Sequence, residues 1–166
     1  MRALASAVLL LLVLVSTPSA TPAVRSAPVD PPPIVWQWPV TPLRIDAPFM
    51  EPAHAYAAGH RGVDLVAAPA QTVLAPADGV VAFSGSVAGR GVLTIDHGGG
   101  WITTLEPVTE AAPTGTAVAR GAVVAVLGSG GHGDGALHFG VRRYDRYIDP
   151  TGLIGGVPPA VLLPCC

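Results

Sequence analysis

Two imidazoles and a carboxylate stand out in this chain: His60 and Asp64, four residues apart in Gly59-His60-Arg61-Gly62-Val63-Asp64, and His138 in Leu137-His138-Phe139. An N/N/O set of this kind holds catalytic zinc. Three protein ligands leave a fourth position for water, whose pKa falls to about 7 on zinc, making it a hydrolytic nucleophile at neutral pH. The plain alternative gives each residue a local task, with His60 in a turn, Asp64 as a cap and His138 as a satisfied sheet histidine.

Positioning these residues falls to short apolar runs closed by Gly, Pro or Asp. They predict strands at 72–75, 79–84, 91–96, 100–105, 122–127 and 137–142, and at Tyr147-Ile148. His138, between Leu137 and Phe139, would project from its strand to one face. No stretch carries the 3.6-residue stripe of a long amphipathic helix. The expected fold is therefore all-β, a single antiparallel sheet or sandwich-like domain with a groove carrying the metal site. The turn-forming segments at 75–79 and 97–100 are expected to close hairpins. The aromatic run at 35–40 reads as an edge strand that tolerates Pro39.

The 166-residue chain has room for one domain. Half of its residues are apolar and 12% are charged, while 20 Gly and 18 Pro favour strands and turns over helices. A net charge of −2 offers no electrostatic footprint for nucleic acid or anionic lipid. Met1-Arg2, an apolar run from Ala3 to Val15 and small residues to Ala20 read as a secretory signal over 1–20. That run is shorter than the roughly 20 residues that cross a bilayer, so no membrane span is expected after cleavage. A Pro/Ala-rich linker follows at 21–33, then the domain at 34–157 and a tail at 158–166. Cys165 and Cys166 are adjacent and do not staple the fold; they leave open pairing with a partner chain.

The ordered series His60-Arg61-Gly62-Val63-Asp64, Ala75-Pro76-Ala77-Asp78-Gly79, Gly91 to Gly98, Ala119 to Gly128, Leu137-His138-Phe139 and Asp149-Pro150 resembles the lysostaphin/LytM-type zinc metallopeptidases, which cut peptide bonds of bacterial cell walls. The likeness spans about residues 36 to 154. It implies an antiparallel β domain whose groove floor carries zinc held by His60, Asp64 and His138. It also implies a peptidoglycan peptide as substrate or ligand and an extracytoplasmic, wall-associated location. The chain departs from the family at two accessory histidines, whose positions read Ala136 and Pro107. Neither can move a proton, and such help is worth typically 10²- to 10⁴-fold.

Two residues are candidates to compensate. His132 lies in the Gly-rich stretch 128–135, which could swing an imidazole over the metal. Glu106 adjoins the lost histidine, and a carboxylate is a competent base beside zinc. Strand alternation points Glu106 opposite to Pro107 unless a bulge re-aims it. Two functions follow: a secreted zinc metalloendopeptidase assisted by His132 or Glu106, or a catalytically impaired wall-binding or hydrolase-regulating module of the same fold. An enclosed small-molecule binder fits poorly with Gly-rich loops around an open sheet. His97 and His54 read as a hairpin-turn and an exposed loop residue, and Trp36 and Trp38 as packing groups. Arg142 and Arg143 either end a strand in solvent or meet a carboxylate of a wall peptide.

Overall fold

Alternation of apolar and polar residues sets the architecture, because it gives each strand one face to bury. The structure is a computed structural model and describes residues 34–41, 44–54, 56–131 and 135–154. Among them are eleven strands: β1 (Ile45–Ala47), β2 (Val63–Val66), β3 (Thr72–Leu74), β4 (Gly79–Val87), β5 (Arg90–Gly98), β6 (Trp101–Glu106), β7 (Val108–Thr109), β8 (Ala117–Val118), β9 (Val123–Leu127), β10 (Ala136–Arg143) and β11 (Arg146–Ile148). A 3-10 turn at Pro150–Gly152 follows, capped by the Asp149 side chain. An eight-stranded antiparallel sheet runs β1-β2-β10-β6-β5-β4-β8, with β11 added to β10, and a three-stranded sheet runs β3-β9-β7. One apolar cluster joins Leu65, Ile95, Leu105, Leu137 and Phe139 of the large sheet to Val73 and Val124 of the small one.

The all-β antiparallel expectation is met. The structure adds β1, β2, β7 and β8, strands too short or too close to turn residues to stand out in the sequence. Residues 35–40 form no strand. Pro39 lacks the donor a ladder needs, and the segment is instead tied by single bonds, Gln37 N–H to Pro76 O and Leu74 N–H to Pro39 O, while burying Trp36 and Val40. The segment at 75–79 does not close a hairpin either, because β3 and β4 belong to different sheets and the chain crosses between them there. The turn at 97–100 does join a hairpin, β5 to β6. The expected signal at 1–20, linker at 21–33, His132 and the tail with Cys165 and Cys166 lie outside the described residues. Among the described residues no helix is long and apolar enough to cross a membrane.

His97 is a packing residue of this fold. Its ring meets Trp36 edge-on at 5.0 Å between centroids, and Trp36 in turn contacts Trp101 at 5.4 Å. Nδ1–H donates to the Asp78 carbonyl at 2.8 Å, leaving Nε2 to accept from the Thr103 hydroxyl at 2.7 Å. Desolvation by burial lowers the His97 pKa from 6.5, outweighing the opposing pull of the Asp78 carbonyl and of the Asp96 and Asp78 charges. The folded state thus binds fewer protons than the unfolded one, so this contribution is complete above pH 6.5 and is lost as pH falls through and below that value. Thermal unfolding from pH 7.5 to 5 is expected to show a steeper loss of midpoint in the native chain than in His97→Gln; parallel curves would contradict this.

Candidate metal centre

The ladder in the middle of the large sheet brings two of the candidate ligands together. β10 pairs β2 with Leu137 opposite Leu65, His138 opposite Asp64 and Phe139 opposite Val63. Directly opposed residues share a face. Leu65, Val63, Leu137 and Phe139, all fully buried, take the core face, which turns Asp64 and His138 to the other side. His60 arrives from a loop that returns on itself. Met50 and His60 exchange two backbone hydrogen bonds of 3.0 and 2.8 Å, and the His60 ring nitrogen Nδ1 lies 2.7 Å from the Pro48 carbonyl. A carbonyl only accepts, so Nδ1 carries the proton and Nε2 presents its lone pair inward.

Three ligand atoms converge as a result. His60 Nε2 is 3.0 Å from Asp64 Oδ1 and 3.2 Å from His138 Nδ1, and His138 Nδ1 is 2.9 Å from Asp64 Oδ1. Zinc bonds of roughly 2.0–2.1 Å place the corners of a tetrahedron about 3.3 Å apart, so the triad needs only a slight expansion to close on such an ion. A carboxylate and two imidazole lone pairs aimed at one point repel unless a cation or proton sits among them, and the donor set suits Zn²⁺. The side chains are 17%, 10% and 9% exposed for His60, Asp64 and His138, a site sunk in the surface yet open on one side.

Residues 58–150, more than half of the chain, match the model of Peptidase family M23. The chain belongs to peptidase family M23. An uncharacterized protein of Mycobacterium tuberculosis is 38% identical over 107 residues, covering 60% of this chain and 43% of that protein. The murein hydrolase activator NlpD of Salmonella typhimurium is 27% identical over 136 residues, 80% of this chain and 34% of NlpD. A zinc-containing peptidase of Vibrio cholerae shares the fold with a TM-score of 0.62 at 24% identity, over 76% of this chain and 41% of that one. This M23 chain thus spans less than half the length of these curated relatives.

The M23 site has neighbours that the sequence did not advertise. A Cβ on Gly62 would lie 2.8 Å from both Gly140 Cα and His138 Cε1 and would overlap the Phe139 carbonyl; one on Gly140 would lie 3.3 Å from His138 Nε2 and 3.1 Å from the Arg61 carbonyl. The two glycines make the slot in which the His138 ring lies. Glu106 is opposite His138 on the other side of β10 and so shares the face of the ligands. Its Oε2 is 3.4 Å from Arg90 Nε. Pro107, one residue on, is buried where the chain leaves the sheet for β7. His97 is held away from the triad by Asp78 and Thr103, and His54 is exposed. An open pocket of about 410 Å³ lies between Pro69, Ala70, Thr109, Leu127 and Ser129, reaching Gly135 at the entry to β10.

The glycine slot predicts a graded response. Gly62→Ala, blocked by backbone, is expected to lower stability by about 1–3 kcal/mol, and Gly140→Ala by less, its tight contacts including the edge of a ring that can shift. Denaturant melts of the two variants check this, and equal stability of Gly62→Ala and the native chain would contradict it.

Proposed function

We propose that this M23 chain is a secreted zinc metalloendopeptidase that hydrolyses peptide bonds of peptidoglycan. The observation that carries the reading is the convergence of His60 Nε2, Asp64 Oδ1 and His138 Nδ1 on the face of the sheet turned away from the apolar core. A groove that only bound a peptide would have no need of two imidazoles and a carboxylate gathered on one point. Zinc bound there would supply Lewis acidity toward the scissile carbonyl and a water acidified to a pKa of about 7. The chain's own residues then divide the work. His60 is fixed in tautomer and orientation by Pro48, and Asp64 adds the negative charge that suits a divalent ion. Glu106, on the same face one strand away, would take a proton from an attacking water and pass it to the leaving amine. Arg90 steadies the Glu106 carboxylate from the side. His132, in the Gly-rich segment before β10, is the second candidate for that task. The apolar run from Ala3 to Val15, read as part of a secretory signal over 1–20, supports export of the chain to the wall.

A second reading has specific support. By the family pattern Ala136 falls at one accessory histidine position, the residue that faces the ligands at the end of β6 is Glu106 and not a histidine, and the relative NlpD is named as an activator of murein hydrolases. On that reading the chain binds wall peptide or regulates a hydrolase without cutting.

Digestion of purified peptidoglycan by the zinc-loaded chain separates the two. The endopeptidase reading predicts new amine termini that vanish in Asp64→Ala. Glu106→Gln is expected to lower kcat by about 10²- to 10⁴-fold with zinc content unchanged. A loss confined to His132→Ala would transfer the proton step to that residue. Stoichiometric zinc with no cleavage would favour the binding module.

A further inference from the structure

We infer that Phe83, at the far end of an uncharged row that crosses the sheet from the metal-bearing strand, is a stacking platform for a sugar ring of the wall glycan. The inference rests on the wall-peptide reading above and adds the glycan as a second point of attachment. Strand register fixes the row. Phe83 stands opposite Thr94, Thr94 opposite Thr104, and Thr104 opposite Gly140. Opposed residues share a face, and alternation along β10 puts Gly140 on the face of His138. Phe83 is therefore on the same side of the sheet as the ligands, at the β4 end of the order β10-β6-β5-β4.

The end of that row is built to hold a ring and not to bury one. Phe83 is 41% exposed, a large apolar side chain left outside the core. Its ring leans along β4 over Gly85, with Cζ 3.1 Å from the point that a Cβ on Gly85 would take. Gly85 is itself exposed, so the ring has backbone beneath its tip and solvent above. Thr94 and Thr104, half-buried between Phe83 and the metal-bearing strand, keep hydroxyls that bond no other group among the described residues. β4 pairs β8 at Gly79 and Val80 alone, so among the described residues no strand walls off the row beyond Phe83.

The chemistry of the row selects its occupant. Phenyl, hydroxyls and glycine carry no charge, so the row takes a neutral group with one apolar side and one polar side. A pyranose has that character. Its C–H face stacks on an aromatic ring, and its hydroxyl and acetamido groups give and take hydrogen bonds at threonine. The open end suits a polymer that continues past the sheet, as a glycan strand does. Distance ties the platform to the metal. Adjacent strands are about 4.8 Å apart, so β4 lies about 14 Å from β10, the length of about four residues of extended peptide. The stem peptides of peptidoglycan are joined at their N-terminus to the lactyl group of a sugar. A sugar on Phe83 would thus leave at the metal a bond about four residues along its own stem, with the glycan toward β4.

The test compares two ligands on the full chain: a disaccharide–tetrapeptide muropeptide, and the same tetrapeptide with an N-lactyl group in place of the sugars. Both are titrated at low temperature, with their integrity checked by mass spectrometry. The sugars are expected to tighten binding to the native chain by about tenfold and to Phe83→Ala by less than twofold, while the sugar-free peptide binds both chains equally. Phe83→Trp is expected to keep the tenfold gain. Phe83→Leu, apolar without a flat ring, is expected to fall between and serves where the alanine variant loses its native thermal midpoint. A sugar gain that is the same in the native chain and Phe83→Ala would overturn the inference by placing the sugar elsewhere; if both ligands weaken together, the ring holds a peptide side chain instead. Equal binding of the two ligands by the native chain would also overturn it. So would a dimer in sedimentation that Phe83→Ala dissolves, which would give the ring to a second copy of the chain. Failure of the native chain to bind either ligand would bring down the wall-peptide reading itself, and this platform with it.

Discussion

The register of β2, β10 and β6 is the constraint on which the site depends. It lines up Asp64, His138 and Glu106 as one row across three strands. The register is held from behind, where Val63, Leu65, Leu105, Leu137 and Phe139 are fully buried and leave no room for a slip. A shift of one residue would turn the ligands into the core and the leucines to solvent, a change that burial of this apolar row forbids. Hydrophobic packing on one face thus fixes the spacing of polar atoms on the other, and the ligand geometry does not rely on the exposed face to define itself.

His60 is outside this ladder and is placed by different means. Its loop is pinned by the Met50–His60 bridge and the Pro48 carbonyl, so that the imidazole is delivered to two residues whose positions are already set. Two glycines keep the space into which the His138 ring fits. An ion shared by the three side chains would link this loop to the central strands. It would stabilise the folded chain by as much as its affinity for the folded state exceeds that for the unfolded one.

Much of this was legible in the sequence, for identifiable reasons. Closely spaced apolar runs between turn residues gave away the longer strands, because period-two burial is a local pattern. The His60, Asp64 and His138 set was legible because its residue types are chemically specific. What the residues do not state is register. The placement of Glu106 beside His138 is decided by a pairing between strands thirty residues apart, while strand alternation alone ties Glu106 only to its neighbour Pro107. The roles of Pro48, Gly62 and Gly140 were hidden for the same reason, since each acts through space on a histidine remote in sequence or across a loop. The assignment of 75–79 to a hairpin failed because Ala-Pro-Ala-Asp-Gly announces a turn without saying which sheet follows it. The Tyr144-Asp145 turn between β10 and β11 was invisible because both residues adopt positive φ, 48° and 63°, without the glycine that usually marks such a turn.

The chemistry rests on one claim, that the three converging donors bind zinc as a compact site with a position left open. Zinc K-edge X-ray absorption of the chain loaded with one equivalent of metal tests it most directly. Zinc bound by this triad is expected to show four light atoms at about 2.0–2.1 Å with the outer scattering of two imidazoles. A six-oxygen shell without imidazole scattering, or zinc that does not stay with the protein, would contradict it.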